Sequence, residues 1–159
     1  MSTPVPPTAS ASPTAPPPPP VDGRVIGLAH YASRAALERV LARSGTSFEQ
    51  SAALRAVADQ GGTVERAWLV DRLTGTLKIG DAAAHATVRE MAARRLLTEQ
   101  DAGQVALTGS GRHLFAAIRA ESDAIAARLY AGIPAGDLAT TGRVLALVTE
   151  RADAESERI

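Results

Sequence analysis

The sequence predicts a mainly α-helical fold in which a helix-turn-helix is followed by a short two-stranded wing, and three observations carry that expectation. In DAAAHATVREMAARRLL, residues 81–97, Ala84, Val88 and Met91 recur at spacings of four and three and so form one apolar helical stripe. A second apolar-periodic stretch precedes it across the turn formed by Lys78, Ile79 and Gly80. Behind it, LLTEQD and QVALT flank a small AG turn and read as two short strands. Helix, turn, helix, strand pair is the order of a winged helix-turn-helix. Composition agrees: with 45% hydrophobic but only 3% aromatic residues, a core must be built from Leu, Val, Ile and Ala, which suits closely packed helices.

Taken in order, residues 1–21 contain Pro, Ala, Ser and Thr without a charged side chain and end in five consecutive prolines before Val21. Such a segment buries little apolar area and is expected to be a disordered tail with polyproline II character. Asp22 is the expected cap of a first helix carrying Val25, Leu28, Ala29, Ala32, Ala36, Val40 and Leu41, with a stop at Ser44 and Gly45. Thr46 or Ser47 caps the second, which presents Phe48, Ala52, Leu54 and Val57 and ends at Gly61 and Gly62. Thr63 is expected to cap a third helix bearing Trp68, Leu69, Leu73 and Leu77, and Asp81 the fourth. After the wing, Thr108 or Ser110 opens a long helix with a seam of Leu114, Ile118, Ile125 and Leu129. Pro134 suits the start of the last helix, which presents Leu138, Val144, Leu145 and Val148 before residues 153–159 fray.

Several classes of function are disfavoured. The chain has no cysteine, which removes disulfides, thiolate metal sites and a cysteine nucleophile, and fits a reducing cytoplasm. No apolar run reaches the roughly 20 residues that span a bilayer, and the start lacks an export signal, so a non-membrane, cytoplasmic protein is expected. His30, His85 and His113 are not spaced as metal ligands, and no nucleophile elbow, P-loop or paired-carboxylate motif occurs. Gly109-Ser110-Gly111 lacks the lysine and spacing of a phosphate loop and reads as a helix start. No enzyme activity and no cofactor is therefore expected. The formal net charge of zero also withholds the overall basic signature of a nonspecific nucleic-acid binder.

The order SFEQSAALRAVADQGG, LTGTLKIGDAAAHATVREMAARRLL, LTGSGRHLF and IPAGDLATTGRVLALV resembles MarR-type transcriptional regulators over 23–152. That resemblance implies a domain at 22–152, with 46–108 reading DNA and 22–44 and 109–150 as dimerisation helices. Its third helix, begun at Thr63, is several residues longer than the family's. The long apolar seam demands a partner surface independently of the resemblance, and a second copy is the simplest one. The expected partners are thus a second copy, double-stranded DNA with a pseudo-palindromic operator, and a small-molecule effector that relieves repression.

For base or phosphate contact the expected side chains are His85, Thr87 and Arg89, because Arg and His donate to purine acceptors in the major groove. Arg94, Arg95 and Arg112 flank the wing as expected phosphate contacts. The sequence departs from the family pattern where Ala86 replaces a frequent arginine and where the wing tip, residues 100–104, carries no arginine. His30, Tyr31, Trp68 and Phe115 are the expected lining of an effector pocket. The alternative reading is a winged-helix module that binds another protein and has lost sequence-specific DNA recognition.

Overall fold

The computed structural model describes residues 20–158. The expected proline-rich tail, residues 1–21, lies outside the described residues except for Pro20 and Val21. Six helices and three strands follow: α1 (Gly23–Ala42), α2 (Phe48–Asp59), β1 (Thr63–Glu65), α3 (Arg66–Leu77), α4 (Asp81–Ala93), β2 (Leu97–Glu99), β3 (Gln104–Leu107), α5 (Gly109–Leu129) and α6 (Ala135–Ser156). The described residues divide into two units, one ending at Ala35 and the other beginning at Ala36, with the boundary inside α1.

In the first unit, Asp22 caps α1 as the sequence predicts: its Oδ1 accepts the Val25 N–H at 2.8 Å. His30 and Tyr31 meet edge to face, with ring centroids 5.6 Å apart.

The second unit contains the core. Leu41, Leu54, Val57, Leu69, Leu73, Ala84, Val88, Met91, Leu97, Val105 and Leu107 are buried together, and the helical stripes read from the sequence meet there. At about 25 cal/mol per Å² of apolar surface removed from water, such branched and thioether side chains each contribute roughly 1.5–3 kcal/mol. Helix α2 begins with a complete capping box, in which Ser47 Oγ accepts the Gln50 N–H at 3.1 Å and Gln50 Oε1 accepts the Ser47 N–H at 3.4 Å. It ends where Gly61 and Gly62 take φ of 82° and 95°, a region closed to most side chains.

Three local expectations are corrected. Thr63 does not cap α3; residues 63–65 form β1, antiparallel to β3, so the sheet has three strands in the order β1-β3-β2. This accounts for the apparent excess length of the third helix, which has 12 residues and starts at Arg66. Asp81 is not the cap of α4 but its first residue; Gly80 occupies the cap position. The C-terminal helix does not fray at residue 153 but continues through Ser156, with the Glu157 N–H still donating to the Asp153 carbonyl at 3.2 Å.

The junction between wing and α5 is tight. Thr108 Oγ1 accepts the Gly111 N–H at 3.0 Å and donates to the Arg95 carbonyl at 2.6 Å, while the Thr108 N–H donates to the Leu96 carbonyl at 3.1 Å. Gly111 is buried against that same carbonyl; a Cβ placed on it would overlap the Leu96 oxygen and sit 3.2 Å from Leu107 Cδ2. Beyond the core, α5, α6 and the turn between them carry exposed Leu129, Tyr130, Ile133, Val144, Leu145, Leu147 and Val148. Among the described residues no helix is long and apolar enough to cross a membrane.

Candidate nucleic-acid interface and ligand cavity

Helix α4 turns Ala84, Thr87, Val88 and Met91 inward, leaving Ala82, His85, Arg89 and Glu90 exposed and Ala86 half-exposed. Spacing fixes this division: residues three and four apart share a face, so burying 84, 87, 88 and 91 turns 82, 85 and 89 out. His85 and Arg89 therefore stand together, one turn apart, on the solvent side. Alanines at 82 and 86 let a groove wall approach the backbone between them. Asp81 in the first turn suits the helix dipole but opposes a phosphate.

Thr87 does not belong to this face. It is 7% exposed, and its hydroxyl donates to the Ala83 carbonyl at 3.0 Å, which satisfies it locally and removes it from any groove contact. Arg94 is exposed, yet its guanidinium is engaged by the fold. Its Nη1 donates to the Gly45 carbonyl at 2.9 Å and to Gln50 Oε1 at 2.5 Å, and its Nη2 to the Ser44 carbonyl at 3.1 Å. Gln50, 6% exposed, also donates through Nε2 to Glu90 Oε2 at 3.1 Å. Arg94 thus joins the end of α4 to the α1–α2 turn. Arg112 donates to the Leu107 carbonyl at 2.7 Å, while its side chain remains on the exposed side of α5.

Arg95 is exposed and holds φ of 55° just after α4, where glycine is usual. The wing itself turns through a 3-10 segment, Asp101–Gly103, with Ala102 and Gly103 at φ of 60° and 73°. The Gln100 N–H donates to the Gln104 carbonyl at 2.9 Å and closes the tip without a cation. At its base Arg66 pairs with Glu99.

Of the expected pocket residues, Phe115 faces a cavity. This cavity, about 320 Å³, lies among the end of α1, α2, α3 and α5 and is walled by Phe48, Leu54, Leu73, Phe115 and Ile118. Arg55, Arg72 and Arg119 enter from three helices, with Asp59 as an acidic neighbour. Trp68 is not a lining residue; it is 37% exposed on α3. His30 and Tyr31 lie in the first unit, and Tyr31 is 70% exposed. Phe48, expected from its helix position to be core, is the second aromatic in the wall. The three arginines were hidden because nothing in one-dimensional spacing brings residues 55, 72 and 119 together.

The helix-turn-helix with its three-stranded sheet, followed by two long helices, has the MarR-type winged-helix fold. Solved structures with this fold include ligand-free NadR, at 19% identity and a TM-score of 0.67 over 83% of this chain and 99% of that one. CouR from Rhodococcus jostii RHA1 bound to p-coumaroyl-CoA is 20% identical, with a TM-score of 0.67 over 80% of this chain and 90% of that one. A MarR-family transcriptional regulator from Rhodococcus sp. RHA1 is 19% identical, with a TM-score of 0.66 over 80% and 91% of the two chains. Compared by sequence alone, the chain matches no family model and no curated protein.

Proposed function

We propose that this chain is a DNA-binding transcriptional regulator acting as a homodimer, a repressor relieved by a small molecule. The observation that carries the reading is the exposed His85–Arg89 pair on α4, with small Ala82 and Ala86 beside it, in a fold shared with transcriptional regulators. Residues 46–108 form the reading part. Residues 22–44 and 109–150 pair with a second copy, and the exposed apolar side chains of α5 and α6 support that pairing. Two copies set their α4 helices in successive major grooves, about 34–36 Å apart, on a pseudo-palindromic operator. His85 and Arg89 meet base edges, while Arg95 and Arg112 meet phosphates.

The effector site is the cavity beside Phe48 and Phe115. Its apolar walls and three arginines suit a small aromatic acid, since guanidinium groups bind carboxylates through two parallel hydrogen bonds. Structures of this fold have been solved with 4-hydroxyphenylacetate and with p-coumaroyl-CoA, and DNA binding by a Bordetella bronchiseptica protein of this fold is regulated by 6-hydroxynicotinic acid.

A second reading, a winged-helix module for protein partners, is favoured by zero net charge and the cation-free wing tip. Fluorescence anisotropy separates the two. Binding to DNA upstream of the gene, preferred over a shuffled duplex and weakened steeply by salt, is the expected result. Weak binding equal on both duplexes would overturn the regulator reading and direct the search to protein partners.

A further inference from the structure

Lys78 is the chain's only lysine. It ends α3 in the left-handed conformation, φ 55° and ψ 39°, with its N–H held by the Thr74 carbonyl at 2.9 Å, two residues before the Gly80 cap of α4. In a helix-turn-helix docked on a duplex, the start of the reading helix enters the groove and the first helix of the motif, here α3, which Lys78 ends, crosses the phosphate backbone. A cation here is suited to a phosphate. Yet its Nζ lies 2.7 Å from Asp153 Oδ1, on the last turn of α6. The two side chains face a recess also lined by Asp71, Arg72, Gly75, Thr76 and Thr149. Arg72 and Thr76 line the ligand cavity as well, so the pair sits directly beside it.

We infer that Asp153 is a latch on Lys78: α6 holds the lysine of the reading turn, and a DNA phosphate must displace the Asp153 carboxylate to reach it. This deepens the DNA-binding reading and rests on it. Both partners bind the same ammonium and exclude one another, so DNA occupancy and the docking of the α6 C-terminal end are linked, each weakening the other. With side chains 61% and 45% exposed, water screens the pair enough for the exchange to be reversible.

The test uses the full chain and exploits the single lysine. Reductive ¹³C-dimethylation labels Lys78 and the N-terminal amine alone, and it preserves the lysine charge and one N–H donor. Asp153→Asn is expected to shift the Lys78 methyl resonance in the free protein, and added duplex is expected to shift it in the parent. In anisotropy, D153N should bind DNA about two- to five-fold more tightly, because the phosphate no longer has to displace a carboxylate from Lys78. Glu150→Gln, an equal change of charge one turn earlier on α6, should leave Lys78 unmoved and produce a smaller gain. In a Lys78→Ala background, D153N should give no gain beyond that of E150Q.

A Lys78 resonance indifferent to D153N, or to bound duplex, overturns the latch while the DNA reading stands. So does an equal gain from D153N in the K78A background. Failure of parent and D153N alike to bind any duplex removes the DNA reading, and the latch with it.

Discussion

Gly111→Ala sets two physical effects against each other. Helix propensity favours the change, since alanine in place of glycine gains up to about 1 kcal/mol in a helix interior and less in a first turn such as this. Sterics oppose it. The new Cβ would overlap the Leu96 carbonyl oxygen, lie 3.1 Å from the Leu96 carbonyl carbon and press on Leu107 Cδ2 at 3.2 Å. A backbone carbonyl cannot rotate away as a side chain can, so α5 or the start of the wing must move. Overpacking of this kind costs about 1–3 kcal/mol. The movement also stretches the hydrogen bond from the Thr108 N–H to the Leu96 oxygen, now 3.1 Å, and the N-cap bond from Gly111 to Thr108 Oγ1, now 3.0 Å, each worth about 1 kcal/mol. The net expectation is destabilisation by about 2–4 kcal/mol. At roughly 3 °C per kcal/mol for a chain of this size, that lowers Tm by about 6–12 °C. Thermal unfolding followed by circular dichroism measures it. Gly109→Ala, where nothing lies within 4 Å of a new Cβ, is the control and should stay within about 0.5 kcal/mol of the parent. An unchanged or higher Tm for Gly111→Ala would refute the close approach of α5 to the wing.

Arg89→Ala should weaken DNA binding by about 1–3 kcal/mol with Tm unchanged; undiminished affinity removes Arg89 from the reading face. Arg94→Ala should do the reverse, lowering stability by about 0.5–1.5 kcal/mol in urea unfolding because Gln50 Oε1 loses its donor, while the exposed carbonyls of Ser44 and Gly45 exchange theirs for water; unaltered stability would contradict the bond to Gln50. Thr87→Val keeps the shape of a buried residue and should leave duplex affinity within about two-fold, since a change of less than roughly 0.4 kcal/mol is all that an inward-facing position transmits; a larger loss returns Thr87 to the interface. Arg72→Ala should weaken calorimetric binding of a small aromatic carboxylate such as benzoate several-fold; equal binding would place the acid elsewhere.

Periodicity makes the six helices legible, because stripes such as Ala84, Val88 and Met91 encode both the helix and its inward face. Strand β1 is hidden for the opposite reason. Three residues, Thr63-Val64-Glu65, are too few to display alternation, and they are strands only because β3, some 40 residues later, lies alongside them. On α4 the sequence correctly separates His85 and Arg89 from the core but misreads Thr87, whose polar side chain is satisfied by its own helix and can therefore be buried. Charge alone marks Arg94 as an expected phosphate contact, and spacing gives no sign of the three acceptors from the start of the domain that its exposed guanidinium also meets. Exposed Trp68 shows the limit of reading aromatics as pocket or core, since amphipathic rings are common at half-covered surfaces.

Helix α2 has two occupied sides. Phe48, Ser51, Ala52 and Arg55 wall the cavity, while Gln50, between the first two of these, grips Glu90 and Arg94 at the far end of α4. The cap amide is therefore also a coupling rod. Because Gln50 is locked to Ser47 by the capping box, α2 cannot slide or roll without carrying that amide along. The wall of the cavity and the C-terminal end of α4, the helix that carries His85 and Arg89, thus share one side chain's hydrogen bonds.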